Sequence, residues 1–292
     1  MPELPEVETI ARGLDKRVAG DKIDSVWIGS KPQPLKSPAA AIAATLENKR
    51  IARVHRAGKH IVFDMEQAAA GPKQAKRVTS RPTRQALSLR QDRSKAQWIV
   101  HLGMTGRMVV CQPEEEIVKH THLIAQLASG RELRFIDPRM FGKLSVQAKP
   151  FDPGGVEPLE AEEDQFIALF HGRKTPIKSA LLNQKLLRGV GNIYADESLF
   201  RTGIRPRRRA ATLTRQQLLK LRMSVQEVLR EAIALGGSSI SDYVDAEGEE
   251  GFFQLQHRVY GREGEPCLVC KTAIKRVVLA GRSSHYCPAC QK

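Results

Sequence analysis

The chain has 292 residues and a formal net charge of +15, from 47 Lys and Arg against 32 Asp and Glu. That length suggests about two domains with material for a sizeable core, and that charge suggests a polyanionic partner, nucleic acid first. No apolar run approaches the roughly 20 residues of a membrane span, no basic amphipathic helix suits a membrane surface, and no signal peptide precedes the acidic start; a cytoplasmic protein without a membrane partner is expected.

Taken in chain order, Val7, Ile10, Ala11, Leu14 and Val18 recur at helical spacing and predict an N-terminal helix over residues 5–18. Short strand-like runs follow at 23–28, 51–54, 59–65, 97–102, 107–111, 122–128 and 131–136, with Ser129-Gly130 as a hairpin turn. Seven or eight strands at this spacing suggest an antiparallel sandwich with the helix over one edge or end. Residues 66–97 interrupt the pattern with eight Lys and Arg against two acidic residues, a local +6, and read as a disordered basic loop inserted between strands. After Pro158 the chain turns helical, with 3.6-residue patterning over 159–171, 176–187, 192–201 and 214–235. Thr214 and Gln217 have capping-box spacing, and Gly236-Gly237 stops the last helix.

The first residues carry chemistry of their own. Removal of Met1 would leave Pro2 as a secondary amine, and an α-amino group has a reference pKa of about 7.7–8.0 against about 10.4 for lysine. Such an amine attacks carbonyl-like carbons to give an iminium, and Glu3 beside it could give or take a proton. The plainer reading is a helix start, with Pro at its first positions and Glu6 and Glu8 near its positive end.

Four of the five cysteines lie in the last 26 residues as Cys267-x2-Cys270 and Cys287-x2-Cys290. Paired knuckles at this separation supply four thiolates for one structural zinc in a closed tetrahedral site. Residues 274–279 and 284–286 look like two strands of a hairpin between the knuckles, with Arg282 projecting from its tip. Arg188-Gly189-Val190-Gly191-Asn192 places two glycines before a helix start, which suits backbone contact with a phosphate or a tight turn between helices. Asp137-Pro138-Arg139-Met140-Phe141-Gly142 and Gly103-Met104-Thr105-Gly106 put Met, Phe and Arg on turns, as a wedge for a base stack or as core packing.

Together these motifs, PELPEVET, HLGMTG, DPRMFG, GVGNIYADESLF and the terminal cysteine pairs with AGR between them, resemble the bacterial formamidopyrimidine-DNA glycosylases from Pro2 to Gln291. The resemblance implies an α+β multidomain chain: a β-sandwich with its N-terminal helix over 1–150, a helix-two-turn-helix domain over 151–256, and a C-terminal zinc finger, a β-hairpin, over 257–292. It implies base-excision repair of oxidised purines (8-oxoguanine and formamidopyrimidines) in duplex DNA, with AP lyase activity through a Schiff base. It also implies a monomer acting on double-stranded DNA in the bacterial cytoplasm, at the nucleoid, with one structural zinc.

Residue by residue, the resemblance makes Pro2 the nucleophile, Glu3 the acid that opens the sugar ring, Glu6 a supporting carboxylate and Lys59 the lysine of β-elimination. Arg282 becomes the finger-tip arginine of phosphate clamping and δ-elimination. Met104, Arg139 and Phe141 become the wedge, with Arg139 facing the orphaned cytosine, and Ser238, Ser239, Ile240, Ser241, Asp242 and Tyr243 the loop around the flipped purine. His120, Arg173, Lys178 and Asn192 fall at phosphate-contacting positions; Met140 stands where relatives often carry a basic residue. Two other readings are an endonuclease VIII-like enzyme for oxidised pyrimidines and a non-catalytic zinc-finger DNA-binding protein. Relatives of the first begin with Gly where this chain has Leu4, and the second leaves Pro2, Glu3 and Lys59 without a purpose.

Overall fold

A computed structural model describes residues 1–68, 96–238 and 251–292. The N-terminal helix, α1, is Leu4–Val18. Pro5 lies in its first turn, where a missing N–H costs nothing, and Lys16 and Arg17 lie in its last, near the carbonyl end. Val7, Ile10, Ala11, Leu14 and Val18 are buried in one apolar core, while Leu4 enters a second. A helix rooted in two cores holds its first residues in place, where most chain termini fray.

Eight strands form the sandwich: β1 (Ile23–Ile28), β2 (Lys49–Ala57), β3 (His60–Gln67), β4 (Ala96–His101), β5 (Arg107–Cys111), β6 (Thr121–Leu127), β7 (Glu132–Ile136) and β8 (Lys143–Gln147). They make two antiparallel four-stranded sheets, in the orders β1-β6-β7-β5 and β2-β3-β4-β8. Alternate residues face the space between them, Ile61, Phe63 and Met65 from β3 against Leu123, Ala125 and Leu127 from β6, as the period of two requires. Phe63 and Trp98 stack with their rings 4.5 Å apart.

Several details differ from the sequence reading. A helix not anticipated, α2 (Ala39–Leu46), buries Ile42 and Leu46 one turn apart; its alanines favour a helix but carry little apolar pattern. Strand β8 was also not anticipated, and pairs with β4 along its length. Lys59 does not open a strand: it is the second residue of the Gly58-Lys59 turn between β2 and β3, where Gly58 takes φ +60°. The basic stretch leaves and re-enters at one hairpin end, where Met65 pairs with Ala96; residues 69–95 lie outside those described.

The helical half comprises α3 (Glu163–Phe170), α4 (Ile177–Leu181), α5 (Asn192–Arg201) and α6 (Arg215–Ala234). Helix α4 stops well before residue 187 because Gln184 donates to the carbonyls of Leu182 and Val190 and folds the chain back on itself. The capping box of α6 forms in both directions, Gln217 N–H to Thr214 Oγ1 at 3.2 Å and Thr214 N–H to Gln217 Oε1 at 3.1 Å. In the finger, β9 (Lys275–Leu279) and β10 (Arg282–Tyr286) are joined by Ala280-Gly281, both with positive φ, the tight turn that matches strand twist. Arg282 therefore flanks the tip as the first residue of β10.

Helix α5 fastens the pieces together. Asp196 accepts the backbone N–H of His285 at 2.9 Å and pairs with Lys178 at 2.7 Å, and Lys178 in turn donates to the carbonyl of Ser283. Glu197 accepts the N–H groups of Arg258, Val259 and Tyr260. Among the described residues no helix is long and apolar enough to cross a membrane.

Candidate active site

A cleft of about 610 Å³ lies where the three parts meet, lined from the sandwich by Glu3, Lys59 and Met104, from the helical half by Asn192, and from the finger by Arg282. Met1 stands at its wall, half exposed. Removing Met1 would open the Pro2 nitrogen to the same space.

Glu3 is buried, and its location explains the two glycines before α5. A Cβ on Gly191 would overlap the Glu3 carboxyl group, and one on Gly189 would meet Leu4 at 2.8 Å. The glycines admit the chain's own carboxylate, not a phosphate, to the positive end of α5, where Ile193 N–H donates to Glu3 Oε1 at 3.3 Å. Among the described residues, Glu3 Oε2 is given no hydrogen-bond partner. Burial pushes this carboxyl up to about 7, against the pull of Lys59. A carboxyl poised there is protonated often enough near neutrality to act as an acid.

Glu6, one turn further along α1, has a different task. It accepts the Glu3 N–H at 2.7 Å, the Ser238 N–H at 2.8 Å and the Tyr194 hydroxyl. It thus ties the N-terminus to the first residue of the expected lesion loop. Burial pushes its carboxyl up as well, while these donors oppose the shift. Ser239, Ile240, Ser241, Asp242 and Tyr243 lie outside the described residues.

Lys59 is pulled below the ordinary lysine value by burial and by Arg282, with Glu3 and Glu6 opposing. The chain start with Glu3, Lys59 and Arg282, three places remote from one another in sequence, share one space. Two histidines in the same wall were not singled out from sequence. Burial pushes His60 down to about 4, and His101 is lowered too, by burial and then by Lys59. Both are then neutral at pH 7, and His101 Nδ1 accepts the Gly103 N–H at 3.1 Å, closing the turn before Met104. Tyr260 also lines the cleft. A histidine next to an HLGM turn is a weak signal, and Tyr260 has none.

The wedge residues are brought together by Asp137, which sequence reading quoted without a role. Its fully buried carboxylate accepts from Thr105 Oγ1 at 2.6 Å, from Gly142 N–H at 2.7 Å and from Arg139 N–H at 3.3 Å. A Cβ on Gly103 would lie 2.5 Å from the Gly142 nitrogen, so the two turns touch. Arg139 sits over the Phe141 ring at 5.0 Å, and both are exposed beside Met104. Met140 has φ +55°, so its backbone turns the chain between the two. His120 adjoins this loop, its carbonyl accepting the Asp137 N–H.

The remaining expected phosphate contacts diverge. Arg173 is exposed on the loop after α3 and does not line the cleft. Lys178 is buried in its pair with Asp196. Asn192 lines the cleft and donates to Ser283 Oγ at 3.2 Å.

The four finger cysteines place their sulfurs within 4.8 Å of one another. Tetrahedral zinc with Zn–S near 2.3 Å requires sulfurs about 3.8 Å apart, and Cys270–Cys287 and Cys267–Cys290 stand at 3.4 and 3.9 Å. Cys267, Cys270, Cys287 and Cys290 fit one structural zinc and leave it no open position.

A cleft where three parts of a basic chain meet, lined by Arg188, Arg282 and a buried acid with a lysine, defines a nucleic-acid-processing enzyme. Three family descriptions match in chain order: formamidopyrimidine-DNA glycosylase N-terminal domain over residues 1–144, its H2TH domain over 155–244, and the zinc finger found in FPG and IleRS over 264–292. The chain is 42% identical to a formamidopyrimidine-DNA glycosylase of Solibacter usitatus, with all of both chains covered. In structure it is similar to a Lactococcus lactis FPG mutant in complex with a Fapy-dG containing DNA (TM-score 0.84, 31% identity, all of both chains). It is also similar to the MutM (Fpg) protein of Thermus thermophilus (TM-score 0.80, 36% identity, 99% and 98% covered). The chain belongs to the formamidopyrimidine-DNA glycosylase family.

Proposed function

We propose that the protein excises oxidised purines from duplex DNA and then nicks the strand as an AP lyase, working in the cytoplasm at the nucleoid. The observation that carries this reading is Glu3: a buried carboxyl near 7 that lines a cleft shared by the chain start, Lys59 and Arg282. A protein that only bound DNA would gain nothing from burying an acid there, since desolvating a carboxylate beside a polyanion weakens binding.

In this reading the Pro2 nitrogen, freed by removal of Met1, attacks C1′ of the extruded nucleotide. The glycosidic bond breaks and the base leaves with a proton. Glu3 protonates the ring oxygen as the sugar opens, and the nitrogen lone pair closes the iminium. Loss of a proton from C2′ into that electron sink expels the 3′ phosphate, and a second elimination expels the 5′ phosphate. Lys59, held below its ordinary value, is suited to take a proton, and Arg282 to steady the departing phosphates. Met104, Arg139 and Phe141 fill the gap left by the flipped base, Arg139 facing its former partner. Half-buried His120, exposed Arg173 and the cleft's Asn192 hold phosphates, and Lys178 acts from beneath by seating the finger. Zinc, when bound, cross-links the finger that carries Arg282. In this reading the protein acts as a monomer on double-stranded DNA.

The test is borohydride trapping on 8-oxoguanine duplex. The processed protein should form a covalent adduct, and Pro2→Gly should weaken it; undiminished nicking by that variant, or by protein still blocked at the Pro2 nitrogen, would overturn the reading. Salt-sensitive binding with no trapping would favour the non-catalytic alternative.

A further inference from the structure

The turn that carries Lys59 is held from behind by an arginine. Arg56, near the end of β2, is 7% exposed and uses its whole guanidinium fork. Nε donates to Glu8 Oε2 on α1 at 2.7 Å. Nη1 and Nη2 donate to the two oxygens of Glu157, in the segment between sandwich and helices, at 3.0 and 2.8 Å. Nη1 also reaches the carbonyl of Gly58 at 3.3 Å. Glu157 receives Arg188 Nε at 3.1 Å, and Arg188 lies in the chain just before Gly189 and α5. A Cβ on Gly58 would sit 3.4 Å from Pro153 and 3.5 Å from Arg188, so the turn also packs against the connecting segment.

This network is a poor device for stability alone. Paired charges taken out of water roughly break even against apolar packing, whereas a planar fork with partners in three separate segments fixes geometry. The residue that follows the held carbonyl is Lys59. We propose that Arg56 is a positioning residue for Lys59: by tying the Gly58 carbonyl to α1 and to the segment joining the two lobes, it sets where the Lys59 ammonium stands relative to Glu3. The inference rests on the reading of Glu3 and Lys59 as partners in one reaction.

The test uses the full chain loaded with zinc and follows the Glu3 carboxyl by 13C NMR across pH. The groups that face that carboxyl include Lys59, Glu6 and the N–H groups of Asn192 and Ile193, with Lys178 and Tyr260 also within its electrostatic reach. Lys59→Met should raise the Glu3 midpoint, by about one pH unit for the loss of a close opposite charge. Arg56→Lys keeps the positive charge and loses the fork. It should raise the midpoint in the same direction and add nothing in the Lys59→Met background, while slowing nicking about tenfold with KM for DNA unchanged. Glu157→Gln, which loosens the same fork from its other side, should reproduce the shift if Arg56→Lys folds poorly. A Glu3 midpoint unmoved in both Arg56→Lys and Glu157→Gln, with Lys59→Met shifting it, would reduce Arg56 to a structural tie. An unmoved midpoint in Lys59→Met would end the pairing itself, and this proposal with it.

Discussion

In the sandwich, Glu3 and Lys59 ride on a helix and a strand turn rooted in a large core where Phe63 and Trp98 stack between two sheets. In the finger, Arg282 rides on two short strands whose core is little more than Cys267, Cys287 and Ile274 with Phe200 and Val259 beside them. The first wall of the cleft is held by apolar burial, the second by metal ligation and by polar ties to α5. Two walls held by such different means should fail independently, under different insults.

The sharpest way to break the symmetry is to remove the metal. Cys287→Ser, or chelation, should lower nicking by at least about 100-fold, because so small a module unfolds without its ion. Circular dichroism should still report a folded sandwich; joint collapse of both would contradict the independence of the walls. Next in size, Glu3→Gln should lower the single-turnover rate about 100-fold or more, the usual worth of a positioned acid, with DNA affinity retained. The same carboxyl sets a pH dependence. Its value near 7 lies above the ordinary 4.5, so the acid form is full at pH 5.5 and half present near 7. Because the Pro2 amine must also be free and has a reference value of about 7.7–8.0, the rate should pass through a maximum between about 7 and 8 and fall toward tenfold per pH unit above it. A profile still rising between about pH 8.5 and 10 would exclude Glu3 as the acid.

Gly191→Ala sharpens the contrast from inside the first wall. Gly191 has φ −128°, which alanine adopts freely, so the substitution acts only through its overlap with the Glu3 carboxyl. A rate loss of about tenfold to 100-fold, with the finger still loaded with zinc, is expected from displacing a reacting group by an ångström. The smallest effect should come from deleting 69–95 and rejoining β3 to β4 by a short turn. Excision should be unchanged, since the two strands are already paired where the segment leaves them; loss of excision by folded protein would give that basic stretch a role.

Much of this was legible in the residues themselves. The stripe of α1, the Thr214 capping box, the Ser129-Gly130 turn and the spacing of Cys267, Cys270, Cys287 and Cys290 are local patterns, and local patterns survive in a one-dimensional reading. The motif at Gly189-Val190-Gly191 shows the limit. Glycine there announces close approach, but the approaching group, Glu3, comes from the far end of the chain. Lys178 shows it again: the resemblance puts it at a phosphate-contacting position, while only the fold pairs it with Asp196 and lets it donate to the Ser283 carbonyl of the finger.

The chain's order and composition by themselves determined the family, the three parts and the metal, and nominated the candidate reacting side chains, because these depend on residue type and near spacing. Tertiary structure alone decided that Glu3 is held near 7, that Asp137 joins the two wedge turns, and that Arg56 stands behind Lys59. Those properties come from removing water and from bringing charges within a few ångströms across most of the sequence, and such distances are set only when the chain is folded.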